Sequence, residues 1–333
     1  MQHFNKNIPF PLFQWFSLVA SVLTWPLISF GAIVRLHGAG LACPDWPLCY
    51  GQLVPPPGLE IALEVGHRFI ATVLGMAIIG LVMLSYRMEK YRTYRKMCLL
   101  ALFLVIIQGI LGGLTVTMRL WPPVVSMHLI GGNLLFAQLV YITWLSFRQH
   151  HCEVTGQSLP TARPFTSLSR NAQWMLVLFF VIIGSGGVNS TTYSGYACEA
   201  FPGCHHGSEF SFSMSYQTYK DQVFPGPPTE LEGQFMPETN NEWVHMLHRL
   251  LAIAGGLAIM IQSFLLFRKY RNKSVRRAML GIALLIPLEI MVGAINAVFR
   301  VPVPISALHT GIAATVIGLL SFCLVKGIHD PLD

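Results

Sequence analysis

Four histidines are the residues of this sequence best suited to chemistry, because they stand at matching positions in the two halves of the chain. His67 and His128 lie in apolar stretches of the first half, and His248 and His309 lie in apolar stretches of the second. Taken singly, each can be a hydrogen-bonded packing residue. Two imidazoles at similar depth on facing helices, however, suit the two axial positions of one haem. The spacing therefore predicts two haem pockets, one in each half.

Other metal chemistry fits these histidines less well. A zinc site takes four ligands, commonly with cysteine or carboxylate among them, whereas each half supplies two well-placed imidazoles and no close acidic cluster. The motif C-x-x-C-H is absent from the sequence, which excludes covalent attachment of a c-type haem. Two non-covalent haem sites are the better prediction.

Residues around the histidines fit a flat macrocycle that carries acidic groups. Small residues follow the first histidine of each half by four and eight positions, on one helical stripe: Ala71, Gly75, Ala252 and Gly256. Close helix packing is the alternative reason for them. Arginines at the ends of the same stretches can pair with haem propionates or reach to lipid headgroups: Arg68, Arg119, Arg249 and Arg300.

One acid distinguishes the two halves. Glu64 stands three positions before His67, whereas His245 stands at the same place before His248. A spacing of three keeps Glu64 on the helix face of His67, beside the first pocket. If Glu64 is structural, its partner would be Arg68 or Arg119. If it is catalytic, it would accept a proton next to a substrate. The asymmetry predicts chemistry in the first half and a permanent electron-transfer haem in the second.

Four of the seven cysteines form two pairs with equal spacing. Cys43 and Cys49 share one loop, and Cys198 and Cys204 share the equivalent loop of the other half. On an oxidising side of a membrane, two disulfides within the loops are expected to rigidify them. The alternative is that Cys43 and Cys49 cycle between thiol and disulfide and pass electrons. The other three are expected to be ordinary free thiols: Cys98, Cys152 and Cys323.

Composition identifies the elements that must position these residues. The chain has 333 residues, of which 53% are hydrophobic and 11% are charged, with a mean hydropathy of +0.55. A soluble domain carries about a quarter charged residues, so a water-soluble enzyme and a disordered protein are excluded, and no role in nucleic-acid binding is needed. We predict an all-α integral membrane protein with eight spans, near 12–34, 62–85, 97–117, 125–147, 173–190, 244–267, 278–298 and 305–325.

Basic residues predict the orientation of these spans. The loops after the second, fourth and sixth spans carry five, three and six of the 22 lysines and arginines. Such loops stay in the cytoplasm, so both termini are expected there. Multi-pass insertion in a bacterial inner membrane, in contact with lipid, is the predicted location.

Self-comparison predicts a duplicated unit. A shift of 181 residues superimposes His67 on His248 and His128 on His309, and a shift of 155 superimposes the cysteine loops. We therefore expect two pseudo-symmetric four-helix bundles related by an axis along the membrane normal. The predicted divisions are 1–150 for the substrate-haem half, 151–172 for a cytoplasmic linker and 173–333 for the haem B half. An insertion at about 205–242 lacks a counterpart and has no predicted role.

These motifs resemble the haem A synthase family (CtaA/Cox15), in its bacterial cysteine-containing type. The resemblance rests on the segment from Gly38 to Cys49, on Glu64 with His67-Arg68, and on His128, His248-Arg249 and His309. It implies oxidation of a ring methyl group of haem O to a formyl group, which gives haem A. Haem O would lie between His67 and His128, and haem B between His248 and His309. Glu64 matches the family's acid, and Cys43 and Cys49 match its cysteine pair, which gives these three residues catalytic roles by resemblance.

Two other functions compete with this enzyme. A two-haem b-type carrier would pass electrons from quinol to a partner without chemistry on either haem, but it needs no acid in one pocket only. A transporter would share the duplicated bundle, yet the spans lack clear breaks. The electron acceptor, a haem O synthase that delivers substrate, and a second copy of the chain are partners that the sequence leaves open.

Overall fold

The structure is a computed structural model that describes residues 12–157, 166–198, 200–204 and 242–329. In this part of the chain, eight helices are long and apolar enough to cross a membrane, which confirms the predicted all-α membrane fold with eight spans. They are α1 (Leu12–Leu36), α2 (Leu59–Arg87), α3 (Arg95–Thr117), α4 (Pro122–Thr155), α5 (Ser167–Thr191), α6 (Glu242–Lys269), α7 (Lys273–Val298) and α8 (Val303–His329).

Helix α4 differs most from its predicted span, because it continues eight residues beyond position 147. Hydropathy marks only the lipid-facing length of a helix, whereas main-chain hydrogen bonding continues into polar sequence. This polar tail packs on the loop that joins α2 to α3, where Gln149 Nε2 donates to the carbonyl of Lys90 over 3.2 Å. Residues 158–165 of the predicted linker at 151–172, and nearly all of the insertion at 205–242, lie outside the described residues.

Buried apolar side chains form two clusters that divide along the chain. One joins α1 to α4 and includes Phe13 stacked on Tyr91, with ring centroids 4.4 Å apart. The other joins α5 to α8, and α4 adds Phe136 and Ala137 to it. Each set of four consecutive helices therefore has its own core. The pseudo-symmetry axis and the domain boundaries stay predictions.

Polar contacts link the two sets of helices through α1 and α4. Trp25 Nε1 in α1 donates to Thr315 Oγ1 in α8 over 3.0 Å. Ser126 in α4 and Thr191 in α5 share a hydrogen bond of 3.1 Å between their hydroxyl oxygens. Such bonds satisfy polar groups that the bilayer cannot. They hold the two halves together as packed neighbours.

Matching tight turns precede the second histidine of each half. Arg119 and Leu120 adopt left-handed backbone angles between α3 and α4, with φ of 50° and 59°, and Arg300 and Val301 do the same between α7 and α8, with φ of 55° and 60°. Leu120 N donates to the carbonyl five residues earlier over 2.7 Å, and Val301 N repeats this bond at 2.7 Å. Left-handed angles are uncommon for residues other than glycine. The turns therefore fix the entry of α4 and α8, and so the depth of His128 and His309.

We expect Gly327→Ala to destabilise the second set of helices. A Cβ at Gly327, near the end of α8, would lie 2.6 Å from Ser169 N and 3.0 Å from Ser169 Cα in α5. Main-chain atoms cannot move aside locally, so the helices must separate, at a cost of about 1–3 kcal/mol. The thermal unfolding midpoint of the purified protein measures the loss. Gly109→Ala is the control, because a Cβ there meets nothing within 4 Å; equal losses from both substitutions would contradict this contact.

Candidate functional site

A cavity in the second half contains both predicted ligands of that half. His248 of α6 and His309 of α8 both line it, together with residues of α1, α4, α5 and α7. The two predicted ligands of this half therefore open onto one shared cavity.

Each of the two imidazoles of this cavity has a polar neighbour at its Nδ1 atom. His248 Nδ1 lies 2.9 Å from Ser185 Oγ in α5, and His309 Nδ1 lies 3.1 Å from Glu289 Oε1 in α7. Histidines that bind metals usually contact a partner through the ring nitrogen that does not bind the metal. This arrangement leaves Nε2 of each ring for a ligand in the cavity.

Each of the four histidines lies against a glycine on the neighbouring helix. A Cβ added to that glycine would lie 3.4 Å or less from the Cε1 atom of His67, His248 or His309, and 3.5 Å from that of His128. In the second half the ring therefore occupies space that a side chain would need, whereas in the first half the distances are those of ordinary van der Waals contact. The pairs are Gly31 with His67, Gly112 with His128, Gly186 with His248, and Gly293 with His309.

The small residues that follow His248 also border the cavity. Ala252 and Gly256 both line it, as expected for a stripe that admits a flat ring. Gly256 also brings α6 close to α7, because a Cβ there would lie 3.2 Å from Ile290 Cδ1. Both interpretations of the stripe therefore apply in the second half. In the first half, a Cβ at Gly75 would meet nothing within 4 Å, and Ala71 packs beside the first core.

Arg249 carries positive charge into the cavity. Its Nη1 donates to the carbonyls of Ala200, Pro202 and Gly203 in the second cysteine loop. Its Nε and Nη2 atoms are buried and lack hydrogen-bond partners among the described residues, although the side chain lines the cavity and is 6% exposed. A buried guanidinium group with free donors favours an anionic ligand group.

A second arginine reaches the same cavity from the first half. Arg35, near the end of α1, lines it and donates from Nη1 to the carbonyl of Ser190 over 2.7 Å. Its guanidinium group lies 5.8 Å from the ring centre of Tyr193, a residue outside the spans whose pKa is raised by burial. His245 also lines the cavity, and its Nδ1 is buried with no partner in the described ranges. The polar end of the cavity is therefore rich in donors.

Glu64 joins α2 to the first cysteine loop. Its Oε2 accepts the Cys43 main-chain N–H over 2.8 Å, and its Oε1 is paired with Arg68 Nη2. Arg68 Nη1 donates to the carbonyls of Asp45, over 3.0 Å, and Leu48. Of the two structural partners considered for Glu64, Arg68 is the one that the structure brings to it. Both oxygens of this 5% exposed acid are therefore engaged by the protein.

The first pair of histidines lies on α2 and α4. The ring of Phe30 in α1 lies 5.9 Å from that of His67, and the Nδ1 atoms of His67 and His128 are buried without hydrogen-bond partners among the described residues. Arg119 Nη1 is buried without a hydrogen-bond partner in the described part of the chain. Arg300 occupies the equivalent turn of the second half.

Both predicted disulfides are present. Cys43 is bonded to Cys49 and Cys198 to Cys204, which confirms the pairing within the loops. The remaining cysteines are buried and unpaired: Cys98, Cys152 and Cys323. Among the described residues, no group of three or more His, Cys, Asp or Glu side chains is arranged to hold a metal ion.

The sequence analysis missed three residues around the second cavity: Glu289 and Arg35 line it, and Ser185 contacts His248. An acid inside an apolar span is a signal in its own right, and the 181-residue shift pairs Glu289 with Gln108, so this residue could have been found. Arg35 could not, because its place depends on how α1 of one half packs against the other half.

Comparison with known proteins agrees with these features. The chain is 29% identical to a heme A synthase of Shewanella oneidensis over 321 residues, which cover 90% of this chain and 92% of the relative. It is 26% identical to a heme A synthase of Shouchella clausii, over 77% of this chain and 76% of the relative. For a heme A synthase of Staphylococcus carnosus the identity is 24%, over 94% and 92%.

The sequence model of one family spans most of the chain. The COX15-CtaA model, described as cytochrome oxidase assembly protein, matches residues 14–64 and 58–321. These ranges include the first disulfide loop, Glu64 and all four histidines. The chain therefore belongs to the COX15-CtaA family, the haem A synthase family that its cysteine and histidine motifs resemble.

Proposed function

We propose that this multi-pass membrane protein is an enzyme of haem A biosynthesis that oxidises a ring methyl group of haem O to a formyl group. The observation that carries the proposal is the second-half cavity, in which His248 and His309 have polar neighbours at Nδ1 and Arg249 has donors without partners among the described residues. Family membership supports the place in haem A biosynthesis. The reaction itself and the use of haem B are the proposed parts.

The second cavity fits a resident haem B. His248 and His309 would hold the haem iron, and Arg249 would bind a propionate through Nε and Nη2. When bound, haem B supplies reversible one-electron transfer. The protein holds the rings at Gly186 and Gly293, where side chains larger than hydrogen would collide with them. Arg300, in the turn before α8, is the further arginine proposed for the propionates.

The first half is the proposed substrate site. His67 and His128 would hold haem O, and Arg119 has a buried donor available for a propionate. Arg68 forms an ion pair with Glu64 and donates to carbonyls of the cysteine loop. We therefore propose that Arg68 positions Glu64. This pair of rings lies against Gly31 and Gly112 at ordinary contact distances.

Glu64 is the proposed proton acceptor of the reaction. With water as the source of the formyl oxygen, oxidation of a methyl group to a formyl group releases four protons and four electrons, so the site needs an acceptor for each. Arg68 keeps the carboxyl group oriented, and the Cys43 N–H connects it to the disulfide loop. The Glu64 carboxylate can accept a proton once one of these two hydrogen bonds is broken. The electrons would pass to haem B and then to a quinone or another acceptor, and Cys43 with Cys49 is the alternative redox pair.

The proposed location is a bacterial inner membrane, with both termini in the cytoplasm. The basic loops between α2 and α3 and between α6 and α7 support this orientation. The disulfide loops would then face the oxidising side. A haem O synthase that delivers substrate and a second copy of the chain are further proposed partners.

A two-haem electron carrier is the second candidate. The engagement of both Glu64 oxygens by Arg68 and the Cys43 amide favours it, because this acid then has a purely structural use. Haem A formation distinguishes the two functions, since a carrier leaves haem O unchanged.

We expect Glu64→Gln to abolish haem A formation while haem stays bound. The amide side chain can still accept the Cys43 N–H, but it cannot take up a proton, and general-base catalysis contributes at least about a hundredfold. Extraction and chromatography of haems from cells that also contain a haem O source measure the product. Glu60→Gln is the control, because Glu60 is exposed on the same helix. If cells that express the wild-type protein form no haem A, the proposed enzyme activity is wrong. If Glu64→Gln forms as much haem A as the wild-type protein, the proposed role of Glu64 as proton acceptor is wrong.

We expect His248→Ala and His309→Ala to lose the low-spin b-type haem spectrum of the purified protein. Each substitution removes one of two axial nitrogens, so any haem that stays bound changes its spin state. His67→Ala and His128→Ala should keep that spectrum and lose haem A output, because they alter the other site. Exposed His151 provides the control substitution His151→Ala. An unchanged spectrum in His248→Ala and His309→Ala would show that the second cavity does not hold the haem.

A further inference from the structure

A buried carboxylate stands behind one histidine of the second cavity. Glu289 lies within α7, is 9% exposed and lines the cavity. Its Oε1 is 3.1 Å from His309 Nδ1, and its Oε2 is buried without a hydrogen-bond partner among the described residues. An acid inside a membrane span is costly unless it pairs or acts. The described ion-pair partner of this acid is the imidazole of His309, whose Nδ1 has no hydrogen-bond partner among the described residues.

The first half has a neutral amide at the equivalent position. Gln108 in α3 corresponds to Glu289 at the 181-residue shift. Its side chain packs so closely on Gly131, one turn after His128, that a Cβ there would overlap Nε2. The two halves therefore share the histidine and the contact from the neighbouring helix, but only the second half has a negative charge there.

A carboxylate behind a metal-binding histidine changes the ligand in two ways. It fixes the ring orientation and tautomer by accepting the Nδ1–H proton, and it makes the other nitrogen more basic. A more basic axial ligand stabilises ferric over ferrous iron, and hydrogen bonding to the ligand is one of the protein's means of adjusting haem potential. A neutral partner such as Ser185, behind His248, orients the ring without adding charge.

We propose that Glu289 is a positioning residue that orients and charges His309, and so lowers the reduction potential and slows the loss of the haem held by His248 and His309. This inference rests on the proposed function, because it requires a haem in the second cavity. The absence of a charge at Gln108 then suits a site whose haem must leave as product, whereas the Glu289 carboxylate suits a site whose haem must stay.

Glu289→Gln in the full-length protein tests this inference. The substitution keeps the size of the side chain and removes the charge. At a fixed ambient potential, we expect the ratio of reduced to oxidised haem to rise about tenfold, equivalent to about 59 mV for a one-electron couple. Loss of haem to apomyoglobin should accelerate by about tenfold. Redox titration and the electron paramagnetic resonance spectrum of the ferric haem are the measurements.

Two further variants make the result decisive. Glu89→Gln is the matched control, since it removes the same charge at an exposed surface position and should leave the potential unchanged. Glu289→Asp keeps a carboxylate and should recover most of the wild-type potential and haem retention. If Glu289→Gln loses its haem while Glu289→Asp keeps it, the inference is supported by the need for the charge.

Other outcomes overturn the inference or the function separately. A haem-loaded Glu289→Gln protein with the wild-type potential and spectrum would overturn the role of Glu289 and leave the proposed function intact. Loss of haem from both Glu289→Gln and Glu289→Asp would show that Glu289 has only a packing role, and it would also overturn the inference. A wild-type protein without bis-histidine haem would instead refute the proposed function.

Discussion

Polar groups inside a bilayer must find their partners within the protein or in a bound ligand, and the four histidines meet this constraint differently: Nδ1 of His67 and of His128 is buried without a hydrogen-bond partner among the described residues. Each ring lies against a glycine of the neighbouring helix, so the helices approach closely enough to exclude lipid from it. In the second half, Ser185 and Glu289 also contact the Nδ1 atoms. A ring held in this way has one nitrogen left to interact with a ligand, and its orientation is fixed before the ligand arrives.

The same constraint explains why each disulfide loop is attached to a helix by an arginine. Arg68 and Arg249 each donate to main-chain carbonyls of their loop, and the disulfides shorten the loops so that these carbonyls converge. In the first half, Glu64 neutralises the guanidinium group. In the second, His245 takes the place of that acid, and Arg249 keeps donors without partners in the described structure. One substitution thus converts a closed ion pair into an open anion-binding group.

Much of this architecture follows from the sequence, because hydropathy and spacing depend on residues close together in the chain. The eight spans, the two disulfides and the convergence of His248 with His309 on one cavity were predictable on that basis. The polar end of α4 was not, since its helical form depends on packing against a loop. Arg35 reaches the second cavity from α1, and only the packing of the two halves against each other brings it there. Sequence periodicity carries no information about such contacts.

The differences between the halves lie in charge more than in shape. The histidines, their glycine contacts, the left-handed turns and the arginine contacts to the loops recur at equivalent positions. Two exchanges of residues distinguish the halves: Glu64 for His245, and Gln108 for Glu289. Together they leave the first half with a carboxylate beside its first ligand and the second half with a carboxylate behind its second ligand. A charge at the rim of a site can take part in proton transfer, whereas a charge behind a ligand acts through that ligand. Two carboxylates in different positions are therefore sufficient to give similar cavities different chemistry.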